Sequence, residues 1–377
     1  MKVRSFDEYP FHQAPTPFDV PATSDVHFND GYYCAAFAED WYVVAGIRLH
    51  PNMNVIDGFA GIARGGVQRV LRASRALRPR SQELDVGPLR IDIRRPLEEV
   101  VITLADNDGG FAFELRYEAA GAPFLEEPYR HRKHGRLIHD MVRYTQVCRA
   151  AGRVTCDGET VTPARWHAIR DHSWGVRAGM GPPTKHGGVE RDEAEIDRRC
   201  FRMWVPFEVE GHTGFFNTHE DEDGRTLDVE GRLDYPDGTQ VPITAVRHAL
   251  RYAEGTRNVI GGTVSLQDRA GRWRDYTIEA SGTPADVQGL GYYGGWRDGG
   301  SAGLYRGPGP VVETDRYPSA AALGRTGLLS LPEGRRIGPT EFPCHITGPD
   351  GARGMAHFEQ HILGPYKPYG FAARTKG

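Results

Sequence analysis

The sequence predicts an all-β protein made of two antiparallel β-barrels or sandwiches in tandem, with long loops. Three observations carry this. Apolar and polar residues alternate with period two in many short segments, as in Phe111, Phe113, Leu115 and Tyr117 against Ala112, Glu114, Arg116 and Glu118, the pattern of a half-buried strand. Turn sequences such as Asn107-Asp108-Gly109-Gly110 and Pro236-Asp237-Gly238-Thr239 separate these segments. Gly (47) and Pro (26) are frequent among the 377 residues, which favours strands and turns over long helices.

The elements follow in order. Residues 1–30 are polar and Pro-rich and read as an extended arm. Tyr32 to Leu49 is aromatic and β-branched and reads as paired strands. Asn54 to Leu71 continues them, with Gly58, Gly61, Gly65 and Gly66 as bends or bulges. Gly61 to Gly66 lacks the lysine and spacing of a nucleotide-binding loop. Val100 to Glu118 is a hairpin. The basic stretch 126–139 reads as a solvated loop or as a lid over a pocket. Tyr144 to Cys148 and Arg153 to Cys156 are strands. The first barrel spans 31–180. The run 181–198 is rich in Gly, Pro and charge and reads as a loop and boundary.

A second series, 199–377, forms the other barrel. Phe201, Met203, Val205, Phe207 and Val209 alternate with polar or bulky partners. Hairpins follow around Asp268-Arg269-Ala270-Gly271 and Gly348-Pro349-Asp350-Gly351, and Ser319 to Leu329 is one short helix. Barrels remove exposed strand edges and can enclose one ligand.

Composition excludes several classes. The net charge of −4 makes no electrostatic case for nucleic acid or anionic membrane. No apolar run is long enough to span a bilayer, and the N-terminus lacks the apolar core of a signal peptide. Cys34, Cys148, Cys156, Cys200 and Cys344 form no CxxC pair. An odd, scattered set reads as reduced thiols in a cytoplasmic protein.

The chemistry concentrates in the fourteen residues Ala164 to Arg177, which hold two Trp, two His, one Asp and three Arg. Charged groups against indole walls make a small-molecule site, and such walls shift pKa values. Asp171 is the principal acid–base candidate and His172 the second proton carrier. Arg177 or Arg170 binds an oxygen function of the substrate or holds Asp171 ionised. Trp166 and Trp174 supply aromatic surface. The structural alternative is an Asp171–Arg177 pair holding a bend. On an extended strand Asp171 and Ser173 face one way and Arg170, His172 and Trp174 the other. Both proton carriers therefore enter one site only if a bulge or bend near Gly175 re-aims one of them.

The segment Arg170-Asp171-His172-Ser173-Trp174-Gly175-Val176-Arg177 resembles the RDHSWG signature of bacterial proteins of the two-barrel, lipocalin-like superfamily. That superfamily includes carotenoid hydratases, AttH-type proteins and fungal cyclases of the Diels–Alder type. The resemblance implies tandem lipocalin-like barrels and cofactor-free chemistry on a hydrophobic small molecule.

Further candidates lie outside the motif. Met355, His357, Glu359 and His361 share one strand face. His357 and His361 would need a third metal ligand, with His219 the nearest candidate; the expectation is pocket lining and no metal. Asn217 and His219 share a strand face with Phe215. Trp204 is a core or pocket residue, and Tyr292 lies in an aromatic loop that caps a pocket mouth. Ser173 has no GxSxG setting, so a nucleophile elbow is not expected. The combined expectation is a lyase, hydratase, dehydratase or isomerase using acid–base catalysis, without cofactor, on an aromatic or terpenoid-like substrate. The alternative is a carrier of the same kind of molecule. The chain is expected to act as a monomer or homodimer.

Overall fold

The computed structural model describes residues 5–8, 10, 12, 14–133, 135–182, 199–292, 294–319, 339–362 and 365–372. The protein is almost all β. Among the described residues, fourteen strands form one sheet and nine form a second, and every pairing is antiparallel.

The first sheet runs in the spatial order Val311–Pro318, Val67–Ala76, Val55–Arg64, Trp41–His50, Phe28–Ala38, Trp166–Arg177, Arg136–Cys156, Phe111–Ala119, Glu99–Leu104, Leu89–Arg95, Asp85–Val86. It curls into a half-barrel. Strand Phe111–Ala119 shows the expected alternation: Phe111, Phe113, Leu115 and Tyr117 are buried while Glu114, Arg116 and Glu118 are exposed. The strands from Phe28 to Ala76 are buried on both faces. That is why Trp41–His50 reads as a nearly continuous apolar run, while Val67–Ala76 buries Gln68, Arg69, Arg72 and Arg75.

The second sheet closes. From Trp273–Ala280 it passes through Val259–Asp268, Gln240–Tyr252, Thr226–Asp234, His212–Glu220, Phe201–Val209, Arg353–Ile362 and Thr340–Thr347. Thr340–Thr347 then pairs back onto Trp273–Ala280, completing an eight-stranded barrel.

Three expectations change. Val311–Pro318 lies in the C-terminal half of the chain, yet it pairs with Val67–Ala76 in the first sheet. The basic stretch is not a loop: Tyr129–Lys133 forms a hairpin with Arg136–Cys156. The barrels do not enclose a ligand. The second is filled by Phe201, Phe207, Phe216, Phe358 and Tyr276, and the void at its centre is too small for a water molecule. The half-barrel is likewise filled, by Ile47, Ile91, Ile102, Leu115, Val154 and their neighbours. The short helix expected at Ser319 to Leu329 falls, apart from Ser319, outside the described residues, as does most of the loop 181–198.

A third core joins the two bodies. Tyr33, Phe37, Tyr42, Phe59 and Ile169 from the first sheet meet Trp204 and Phe215 from the barrel's outer face. Tyr292 belongs to this core too, so its loop packs inward. No helix among the described residues is long and apolar enough to cross a membrane.

Candidate active site between the two sheets

Strand Trp166–Arg177 is central in the first sheet, with Phe28–Ala38 on one side and Arg136–Cys156 on the other. Asp171 lies opposite Tyr33 and Thr145, and His172 opposite Tyr32 and Tyr144. The pairing has no register shift along the motif, so alternation holds and the expected bulge is absent. Gly175, at φ +129°, serves close packing instead. A Cβ there would sit 2.2 Å from the Asp140 carbonyl oxygen.

Alternation divides the motif's candidates. Trp166, Arg170, His172 and Trp174 face away from the barrel. His172 stacks on Tyr32 at 4.3 Å and bonds Asp30 Oδ1 through Nε2 at 2.7 Å. Trp174 packs against His172 at 5.1 Å. Arg170 donates through Nε to Gln146 Oε1 at 2.9 Å and lies over the Tyr144 ring. Trp166 packs near Trp41. These residues do not meet Asp171.

Asp171 and Ser173 face the barrel. Asp171 is buried. Burial raises its pKa, although Arg143 and Arg48 pull the other way. Its Oδ2 lies 3.6 Å from Arg143 Nη1, while Oδ1 accepts no hydrogen bond from any described residue. Arg143 gives its two-pronged contact to Glu126 instead, at 2.8 and 2.6 Å. Glu126 also accepts from Thr145 Oγ1 at 2.5 Å and Trp204 Nε1 at 3.0 Å. Burial alone would raise the Glu126 pKa. The Arg143 charge and these hydrogen bonds outweigh it and leave the group below the usual carboxylate range. The pKa values of two carboxyls on one arginine are thus pushed apart, Glu126 downward and Asp171 upward.

A second buried group lies beside the first. Glu341 Oε2 accepts from both Tyr33 and Tyr42, and the Tyr42 hydroxyl also lies 2.8 Å from His357 Nδ1. Burial, aided by the Glu359 charge, pushes Glu341 up to about 8. Burial, aided by His167 and Arg202, pushes His357 well below the usual imidazole range. Glu359 pairs with Arg202, whose Nε also donates to Asn217 Oδ1 at 3.2 Å.

Aromatic walls enclose these groups. Phe37 stacks on Tyr42 at 5.3 Å, Phe59 meets Tyr292 at 4.9 Å, and Trp204 sets its edge against His357 at 5.3 Å. Arg48 and Arg177 both lie under the Tyr292 ring. A cavity of about 470 Å³ opens on this layer, its wall including Glu126, Arg143, Arg177, Arg202, Asn217 and His219. His219 is tied to Asp228 at 2.6 Å.

Of the residues singled out in the sequence, Asp171, Arg177, Trp204, Asn217, His219, Tyr292, His357 and Glu359 therefore lie on the interface or its cavity. Tyr33, Tyr42, Glu126, Arg143, Arg202 and Glu341 were not singled out. Tyr33, Tyr42, Arg143, Arg202 and Glu341 each lie on a separate strand, and Glu126 directly follows the short strand Phe124–Leu125. The available signal was a charge inside an apolar strand, as at Glu341 in Thr340–Thr347.

Residues 3–372 match a family described as a family of unknown function (DUF8625). No curated protein matches the chain. Among solved structures, an AttH-type protein from Nitrosomonas europaea is similar at a TM-score of 0.54 and 11% identity, covering 94% of this chain and 98% of its own. This likeness shows a shared fold. Kievitone hydratase from Nectria haematococca (TM-score 0.46, 9% identity, 91% and 93% covered) and CghA with Sch210972 (0.48, 11%, 89% of each) are more distant.

Proposed function

The chain belongs to the DUF8625 family, and we propose that it is an enzyme that moves protons on a hydrophobic small molecule, as a hydratase, dehydratase or carbon–carbon lyase. The observation that carries this reading is Asp171. It is a buried carboxyl with a raised pKa and one oxygen that no described residue engages. A buried carboxyl whose pKa is raised is suited to general-acid catalysis.

Asp171 would give its proton to the substrate's reacting carbon or leaving oxygen. Arg143, at 3.6 Å, would then stabilise the carboxylate left behind. Arg143 also forms part of the cavity wall, so the acid lies one side chain behind a space of ligand size. Arg177 on the same wall would bind an oxygen function. Tyr129, Met141 and Val142 on that wall supply apolar surface for an aromatic or terpenoid-like skeleton, with Trp204 and Tyr292 packed in the core behind it. The proposal includes a cytoplasmic location, supported by the four buried free thiols Cys34, Cys148, Cys156 and Cys344.

The test is untargeted mass spectrometry of a metabolite extract incubated with the protein. The expected result is a substrate that changes by a small fixed mass, at a rate reduced about a hundredfold in Asp171→Asn. A molecule that binds in the cavity and is recovered unchanged would make the protein a carrier.

A further inference from the structure

We infer that Glu341, His357 and Glu359 form a binding site for one divalent first-row metal ion. A ring nitrogen of His357 and one oxygen of each carboxylate lie within 4.8 Å of one another. In a tetrahedral site two ligand atoms stand about 3.4 Å apart, so closing the site takes a shift of up to about 1.5 Å. The three residues come from neighbouring strands of the second barrel, where Glu341 and Glu359 are cross-strand partners. His219 and His361, the partners suggested by the sequence, are not in the group.

Each of the three has one polar atom held by an outer group and one left over. Glu341 uses Oε2 for Tyr33 and Tyr42. His357 uses Nδ1 for Tyr42. Glu359 uses Oε1 for Arg202. Glu341 Oε1 and His357 Nε2 are fully buried and meet no hydrogen-bond partner among the described residues. Buried polar atoms of this kind call for a partner. Metal ligands show this division, with an outer group fixing the far atom of each carboxylate or imidazole.

The Tyr42 proton decides the imidazole tautomer. Tyr42 donates to Glu341 Oε2 and therefore accepts from His357 Nδ1–H. This leaves a bare lone pair on Nε2 for a metal. Two carboxylates balance the charge of a divalent ion, and one imidazole with two carboxylates suits zinc or manganese. Because Tyr33 and Tyr42 belong to the first sheet, a bound ion would fasten the two bodies together. The inference departs from the expectation of a metal-free protein and is independent of the role given to Asp171.

Chelator-treated full-length protein is titrated with zinc, manganese and cobalt(II) chlorides. Bound metal is read by elemental analysis after gel filtration, with the melting temperature beside it. The wild type should take up one equivalent of at least one ion and melt higher. Glu359→Gln and His357→Gln should both lose this uptake. Tyr42→Phe should weaken affinity about 10- to 100-fold, the usual effect of an outer partner. The exposed His345→Gln should bind like wild type. If His357→Gln fails to fold, the partly exposed Glu359 and Tyr42→Phe decide the matter. No uptake by the wild type, or unchanged uptake in folded Glu359→Gln and Tyr42→Phe, overturns the site.

Discussion

Asp171 and His172 are adjacent in the chain but lie on opposite faces of one strand, Asp171 toward the barrel with Arg143 and His172 toward Tyr32 and Asp30. No bulge relaxes this. Asp171→Asn should lower turnover about a hundredfold at unchanged melting temperature, while His172→Ala should cost about 1 kcal/mol of stability by removing its ring contacts. Turnover and thermal melting of both variants check this. Equal losses of turnover would mean that the faces do not divide the work.

Glu126 holds the Arg143 guanidinium, and both groups are largely buried. Glu126→Gln would leave that charge with Asp171, Glu359 and Glu230 as its carboxylate neighbours. Removing one partner of a buried pair costs about 3–5 kcal/mol. Urea unfolding should show it, and a loss under about 1 kcal/mol would refute the pairing's importance. Because Arg143 would turn to Asp171 and lower its pKa, any activity that survives should show an alkaline limb shifted to lower pH.

His167 gives a pH dependence. Burial, partly offset by Glu208, lowers its pKa to about 4 in the folded protein; an unfolded chain has about 6.5. Between these values the unfolded state binds more protons, so folding stability falls as the pH drops from about 6.5 to 4. The loss from this one group is about 3 kcal/mol. The isosteric His167→Phe should remove that share of the slope. Urea midpoints at pH 7 and 5 for both proteins measure it, and parallel slopes would count against a neutral buried His167.

Gly175→Ala tests the close approach of neighbouring strands. The new methyl would meet the Asp140 carbonyl at 2.2 Å, on a backbone at φ +129° that alanine avoids. The expected cost exceeds about 1 kcal/mol. A melting temperature equal to wild type would show that the strands can separate locally without penalty.

Most of the fold was legible in the sequence, because strand patterning is local. The alternation in Phe111–Ala119, and the turn residues between strands, report burial and backbone bending directly. Alternation even placed Asp171 and His172 on opposite faces before the tertiary structure was known. It could not say which face would be the site. That depends on the outer face of the second barrel packing against Tyr33, Tyr42 and Asp171, and on both interiors being filled by side chains. Glu341 shows why the rest was hidden. It reaches Tyr33 and Tyr42 across about 300 residues of chain. Such a contact leaves no local period or spacing, since it exists only once two separately patterned sheets have packed together.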